Sequence, residues 1–139
     1  MKKLQNFTEF INESQTYQHL ESDLLKTFEK TGIAKSCYNG EIIVSASGWE
    51  INHPNGSIGV TFWLMEDVPT DKLIKTAKDW AKKNGLIAAT FYPNGVKDNS
   101  DAGRTQNWSN KAAQSAKLVY GFTFYSKYYQ LTSAYTPLK

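Results

Sequence analysis

The stretch SIGVTFWLM-EDVPT-DKLIKTAKDWAKKNG-LIAATFY, residues 57–92, holds three patterns in succession. In Ser57–Met65, Ile58, Val60, Phe62 and Leu64 fall on alternate positions, the period of a strand with one buried face. Pro69-Thr70-Asp71 then opens a helix, with Thr70 as the cap. Leu73, Ile74, Ala77, Trp80 and Ala81 form its apolar side, while Lys72, Lys75, Lys78, Lys82 and Lys83 crowd the other faces. Asn84-Gly85 ends the helix. Leu86–Tyr92 is a short, largely apolar stretch, as in a strand buried on both faces. A helix that packs back on the sheet predicts that the Leu86 strand pairs parallel with the Ser57 strand through a right-handed crossover.

Upstream, Ile33–Tyr38 and Glu41–Ile51 flank Asn39-Gly40, the dipeptide that suits a type I′ turn, and so predict a hairpin. Asn52–Gly56 reads as a second turn. Further upstream, Tyr17, Leu20, Leu24, Leu25 and Phe28 recur at helical spacing up to Gly32. Residues 1–13 form a separate amphipathic run with Leu4, Phe7, Phe10 and Ile11 on one face. Downstream, Pro93–Asn107 is a long polar loop, Ser109 can cap a helix through Lys117, and Leu118–Leu131 is an aromatic strand region. The tail Thr132–Lys139 reads as a loose end. The fold class is mixed α/β: antiparallel hairpins plus a strand–helix–strand crossover.

Length and composition bound the rest. A chain of 139 residues is one domain with a real core. With 40% hydrophobic and 14% aromatic residues it does not read as disordered. No apolar run approaches a bilayer span, so no membrane role is expected. Cys37 is the single cysteine, which excludes an intrachain disulfide and a cysteine-based zinc site, and with two histidines no metal site is expected. This suits a reducing cytoplasm. The net charge of +3 comes from 16 basic and 13 acidic residues, enough for weak electrostatic contact with DNA and no more. Only one base is an arginine, Arg104, so an arginine-rich phosphate surface is excluded.

Three local stretches resemble the GNAT superfamily of N-acetyltransferases. Tyr38–Val44 is similar to the family's second and third strands. Leu73-Ile74 with Ala81 and Asn84-Gly85 is similar to its central helix, and Asn110-x-x-Ala113 followed by Gly121-Phe122 to its N-x-x-A segment. The resemblance runs over roughly residues 16–130 as an order of elements. It implies an acyl transfer from acetyl-CoA to an amine. The pantetheine arm would lie in a gap between Ser57–Met65 and Leu86–Tyr92, held by the backbone of Leu64 and Met65 and by Asn110. Lys117 stands where the family's last helix carries a tyrosine, so Tyr120, three residues on, would act as the acid toward the leaving thiolate if the helix extends that far. Glu66 would be the base, with Asp67, Glu50 and His53 as alternatives. The family's glycine-rich pyrophosphate turn is replaced here by Met65-Glu66-Asp67-Val68-Pro69-Thr70. This stretch has no glycine, a proline without a donor, and carboxylates that repel phosphate.

Residues 1–13, MKKLQNFTEFINE, resemble the capsid-targeting peptide of internal head proteins in T-even-type tailed phages, with Ile11-Asn12-Glu13 as the cleavage site. That resemblance implies a domain over residues 14–139, packaged in the capsid interior and delivered to the host cytoplasm. Its partner there would be a host defence protein that it binds and inhibits. An ordinary N-terminal helix is the alternative. Two function classes therefore stand: acyltransferase and non-catalytic inhibitor. The C-terminal aromatics Tyr125, Tyr128, Tyr129 and Tyr135 add a candidate interaction edge.

Overall fold

Alternation in the strand Ile58–Leu64 decides the layering. Ile58, Val60, Phe62 and Leu64 are buried while the residues between them are half-buried, so one face of the sheet carries the main core. The computed structural model describes residues 15–90, 115–130 and 135–138. A short 3-10 turn, Tyr17–Leu20, runs into α1 (Glu21–Glu29), followed by 3-10 turns at Ile33–Ser36 and Tyr38–Gly40. Then come β1 (Ile43–Ala46), β2 (Ile58–Leu64), α2 (Asp71–Lys83), β3 (Ile87–Thr90), β4 (Leu118–Tyr125) and β5 (Thr136–Pro137). The protein is mixed α+β, and the described residues form a five-stranded sheet in the order β1-β2-β4-β3-β5.

Every pairing in that sheet is antiparallel, which corrects the expected parallel contact between the Ser57 and Leu86 strands. β2 and β3 do run in the same direction, but β4 lies between them. It pairs with β2 from Leu64↔Leu118 to Ile58↔Phe124 and with β3 from Ile87↔Tyr125 to Thr90↔Phe122. The reason lies in β4 itself. Seven of its eight residues are buried, and a buried strand must satisfy backbone groups along both edges. Only an interior place in the sheet does that.

The expected Ile33–Tyr38 strand is absent as well. Ile33 and Cys37 are buried and Lys35 is exposed, so the apolar spacing here is four, that of a helical turn, rather than two. Cys37 makes only an isolated bridge to Leu64. The turn chemistry nevertheless holds: Asn39 (φ 54°) and Gly40 (φ 69°) are both left-handed, and the Glu41 N–H donates to the Tyr38 carbonyl at 3.1 Å. The hairpin that forms is β1–β2, closed through the predicted turn at Asn52–Gly56. A Cβ on Gly56 would stand 2.7 Å from the Tyr17 ring and 2.8 Å from the Glu50 carbonyl oxygen, so this turn admits only glycine without a shift.

Helix α2 matches its predicted bounds. Its end is a Schellman turn: the Leu86 N–H reaches the Ala81 carbonyl (2.8 Å), the Gly85 N–H the Lys82 carbonyl (3.3 Å), and Gly85 has φ 67°. Thr70 precedes the helix without a side-chain cap bond. The described part of the tail is not loose, because β5 pairs with β3 and the Leu138 N–H donates to the Ala88 carbonyl at 2.9 Å. Pro137 is tolerated there as an edge-strand residue.

The core is built on rings. Phe28 of α1 lies 5.3 Å from Phe62 and 5.8 Å from Phe122, and Trp80 of α2 meets Phe124 edge-on at 4.8 Å. The Trp80 indole N–H donates to the Asp23 carboxylate at 2.8 Å, which ties the two helices across the sheet face. Among the described residues no buried side-chain polar atom lacks a partner.

Candidate functional site

The carboxyl end of β2 is where the expected acyl-CoA site can be examined. Its backbone is already engaged on both sides. The Lys117 N–H donates to the Leu64 carbonyl (2.8 Å), and the Met65 N–H donates to the Ser36 carbonyl (2.8 Å). Leu64 is buried and Met65 is 45% exposed. The gap proposed for a pantetheine arm, between β2 and β3, holds β4. Beyond Met65, Glu66 accepts from the Ser36 hydroxyl at 3.0 Å, and Asp67 pairs with Lys117 at 2.9 Å in an exposed ion pair. The cavity beside this turn measures 230 Å³ and is lined by Thr31, Ile33, Ser36, Val68, Lys72 and Leu73 among others. That is below the ~300–1,000 Å³ of usual small-molecule sites.

Tyr120 does not reach that turn's surface. The strand β4 begins at Leu118, so the preceding helix does not extend to carry Tyr120, and the residue stands opposite Phe62 with 1% of its surface exposed. Burial raises its hydroxyl above the ordinary phenol range, and hydrogen bonding with Thr90 and Thr70 partly opposes this. That bond gives the Thr70 hydroxyl a partner other than the helix end. Tyr120 and Glu66 therefore occupy different environments, one inside the sheet's core face and one on the solvent-exposed turn. Asn110 and Arg104 lie outside the described residues.

The alternative bases are no closer. His53 belongs to the turn before β2, about 20 Å along the strand from Met65. Its ring stacks on Trp49 (centroids 4.0 Å apart, planes 9° apart), and its Nδ1 accepts from the Asn55 N–H at 3.1 Å. Glu50, in the same turn, forms a bridge with Thr16. Cys37 is buried, its Sγ donates to the Ile33 carbonyl at 3.4 Å, and burial pushes the thiol up to about 11. It is an inert core thiol. Among the described residues no cluster of His, Cys, Asp and Glu could hold a metal. No described helix is long and apolar enough to cross a membrane.

The C-terminal aromatics divide. Tyr125 is buried and packs on the half-buried Tyr129 with ring centroids 5.3 Å apart, whereas Tyr128 is 54% exposed with the Lys127 ammonium 5.3 Å from its ring centre. The expected aromatic edge thus reduces to one open ring among these three.

A different surface is open. A groove of 560 Å³ runs between α1 and the outer edge of β1, lined by Gln18, His19, Glu21, Ser22 and Leu25 on one side and by Ile42, Ile43 and Val44 on the other. Sequence reasoning passed over it. Its signals were the apolar doublets Leu24-Leu25 and Ile42-Ile43, which put one side chain inward and one outward. Comparison with known proteins gives no match, neither with a protein-family model nor with a curated protein nor with a solved structure.

Proposed function

We propose that this chain is a non-catalytic binding protein of a tailed phage, packaged in the virion and delivered to the host cytoplasm, where it binds and inhibits a defence protein. One observation carries the choice against catalysis: β4 fills the space between β2 and β3, and the Leu64 and Met65 backbone groups already have partners. A divergent GNAT-like acyltransferase, moving an acyl group from acetyl-CoA to an amine, would need that space for pantetheine and would need Tyr120 within reach of a thiolate. The closed strands and the buried hydroxyl weigh against it. The GNAT likeness is retained as a scaffold reading of the order of elements.

The leader reading concerns residues 1–13, which lie outside the described residues. It rests on the resemblance of MKKLQNFTEFINE to a capsid-targeting peptide. The first described contacts tie the chain to the turn before β2: the Ile51 N–H donates to the Gln15 carbonyl at 3.2 Å, and Thr16 bridges Glu50. Packaged DNA is at most a loose partner, through the lysines that line the exposed faces of α2.

Two measurements test the proposal. Calorimetry with acetyl-CoA or CoA up to about 1 mM should give no binding heat, and saturable heat would restore the enzymatic reading. Mass spectrometry of purified phage particles should find the protein with Ser14 at its terminus. An intact Met1 terminus, or absence from the particle, would end the packaging reading.

A further inference from the structure

Among the described residues the strand β1 has one neighbour in the sheet, β2. Its register and one bond beside it show which backbone groups face outward. The Ser47 N–H donates to the Ser57 carbonyl at 3.0 Å, so the bonded positions continue at Ser45↔Gly59 and Ile43↔Thr61. Val44 and Ala46 are the intervening positions, and their N–H and C=O groups point away from β2. These groups have no partner among the described residues. The edge is short, at four residues, but no proline, no lysine and no inward charge falls within Ile43–Ala46, and Ile43 is 39% exposed.

The groove beside this edge adds side-chain selectivity. A strand laid along β1 would place alternate side chains under α1, against Leu25, Ile42 and Val44. The one charged residue lining the groove is Glu21, and the charged residue just before β1 is the exposed Glu41. No lysine or arginine lines it among the described residues, although the whole chain is basic at +3. A second copy paired β1 to β1 would bring a further Glu41 to this edge and no cation from the strand itself.

We infer that the outer edge of β1 is the docking site for an extended segment of the protein partner, one that alternates apolar and basic side chains and adds to the sheet as a further strand. This rests on the binding reading above and names the chemistry of its partner. The Val44 and Ala46 backbone supplies the shared hydrogen bonds, the apolar groove takes the alternate side chains, and Glu21 takes a cation.

The test uses the full chain, isotope-labelled, titrated with an alternating Lys-Val peptide about seven residues long, the length of an ordinary strand. The Val44 and Ala46 amides should shift and gain exchange protection, and an alternating Glu-Val peptide should bind at least about tenfold more weakly. Val44→Pro removes an outward donor that β2 does not use, so it should leave the sheet folded and abolish binding. Glu21→Lys, which keeps the backbone edge intact, should weaken Lys-Val binding by about tenfold. Shifts located elsewhere, equal binding of the two peptides, or binding indifferent to both substitutions would overturn the inference. So would no binding at about 1 mM, or protection of β1 that rises with protein concentration alone. Acetyl-CoA heat tests the functional reading separately, so a failure here and a failure there are told apart.

Discussion

β4 and β1 belong to one sheet and sit at its extremes of use. β4 spans eight residues, is paired along both edges, and buries seven of them. β1 spans four, is paired along one edge among the described residues, and leaves Ile43 and Ser45 exposed. The strand with the most reactive-looking side chain, Tyr120, is the one that solvent cannot reach. The strand that carries none of the candidate catalytic residues is the one whose backbone groups are available. In this sheet, buried hydroxyls serve packing, and the capacity to bind resides in an unfinished edge.

The largest way to break that comparison is to open the centre. Phe122→Ala removes a ring packed on Phe28, Phe62 and Tyr120 and should cost about 3–5 kcal/mol, read by urea unfolding. A loss below about 1 kcal/mol would mean that β4 is not a packed interior strand. Gly56→Ala comes next, because its methyl would press on Tyr17 and the Glu50 carbonyl. About 1–3 kcal/mol is expected in the same assay, with the β1–β2 hairpin loosened first.

Tyr120→Phe sharpens the comparison more gently. It deletes only a hydroxyl that hydrogen-bonds with Thr90 and Thr70, so about 1 kcal/mol of stability should go while peptide binding at β1 is untouched. An effect on binding larger than on stability would return Tyr120 to the list of functional residues. At neutral pH the smallest effect belongs to Cys37. Its folded thiol is pushed up to about 11 from an ordinary 9.0. The unfolded chain therefore loses this proton first. Stability is full below about pH 9 and falls as pH rises toward about 11. The raised phenols of Tyr17, Tyr120 and Tyr125 add a decline of the same sign. Denaturant curves at stepped pH should show Cys37→Ala with the shallower alkaline slope.

Much of this fold is written locally. The stop at Asn84-Gly85 specifies the Schellman turn because glycine alone enters the left-handed region freely. The alternation from Ile58 to Leu64 specifies a face because the strand period is two. Asn39-Gly40 specifies its turn even though the strands expected around it do not pair. What no local pattern carries is the neighbour of a strand. Tyr120, Phe122 and Phe124 announce a buried face, but nothing within them says that β2 and β3 lie on either side. The two paired residues of β5 are too short to leave a period at all. The site followed the same logic. Tyr120 looked catalytic from its distance to an expected helix, and the change to strand at Leu118 moved it into the core. The β1 edge was hidden because an open backbone edge has no residue type of its own.

The central claim is that β4 occupies the place between β2 and β3. Nuclear Overhauser contacts between cross-strand α-protons in the labelled full chain test it most directly. The expected result is contacts from β4 to both β2 and β3, with none between β2 and β3, unchanged by acetyl-CoA. Direct β2–β3 contacts, or a separation of these strands on adding acetyl-CoA, would contradict the account.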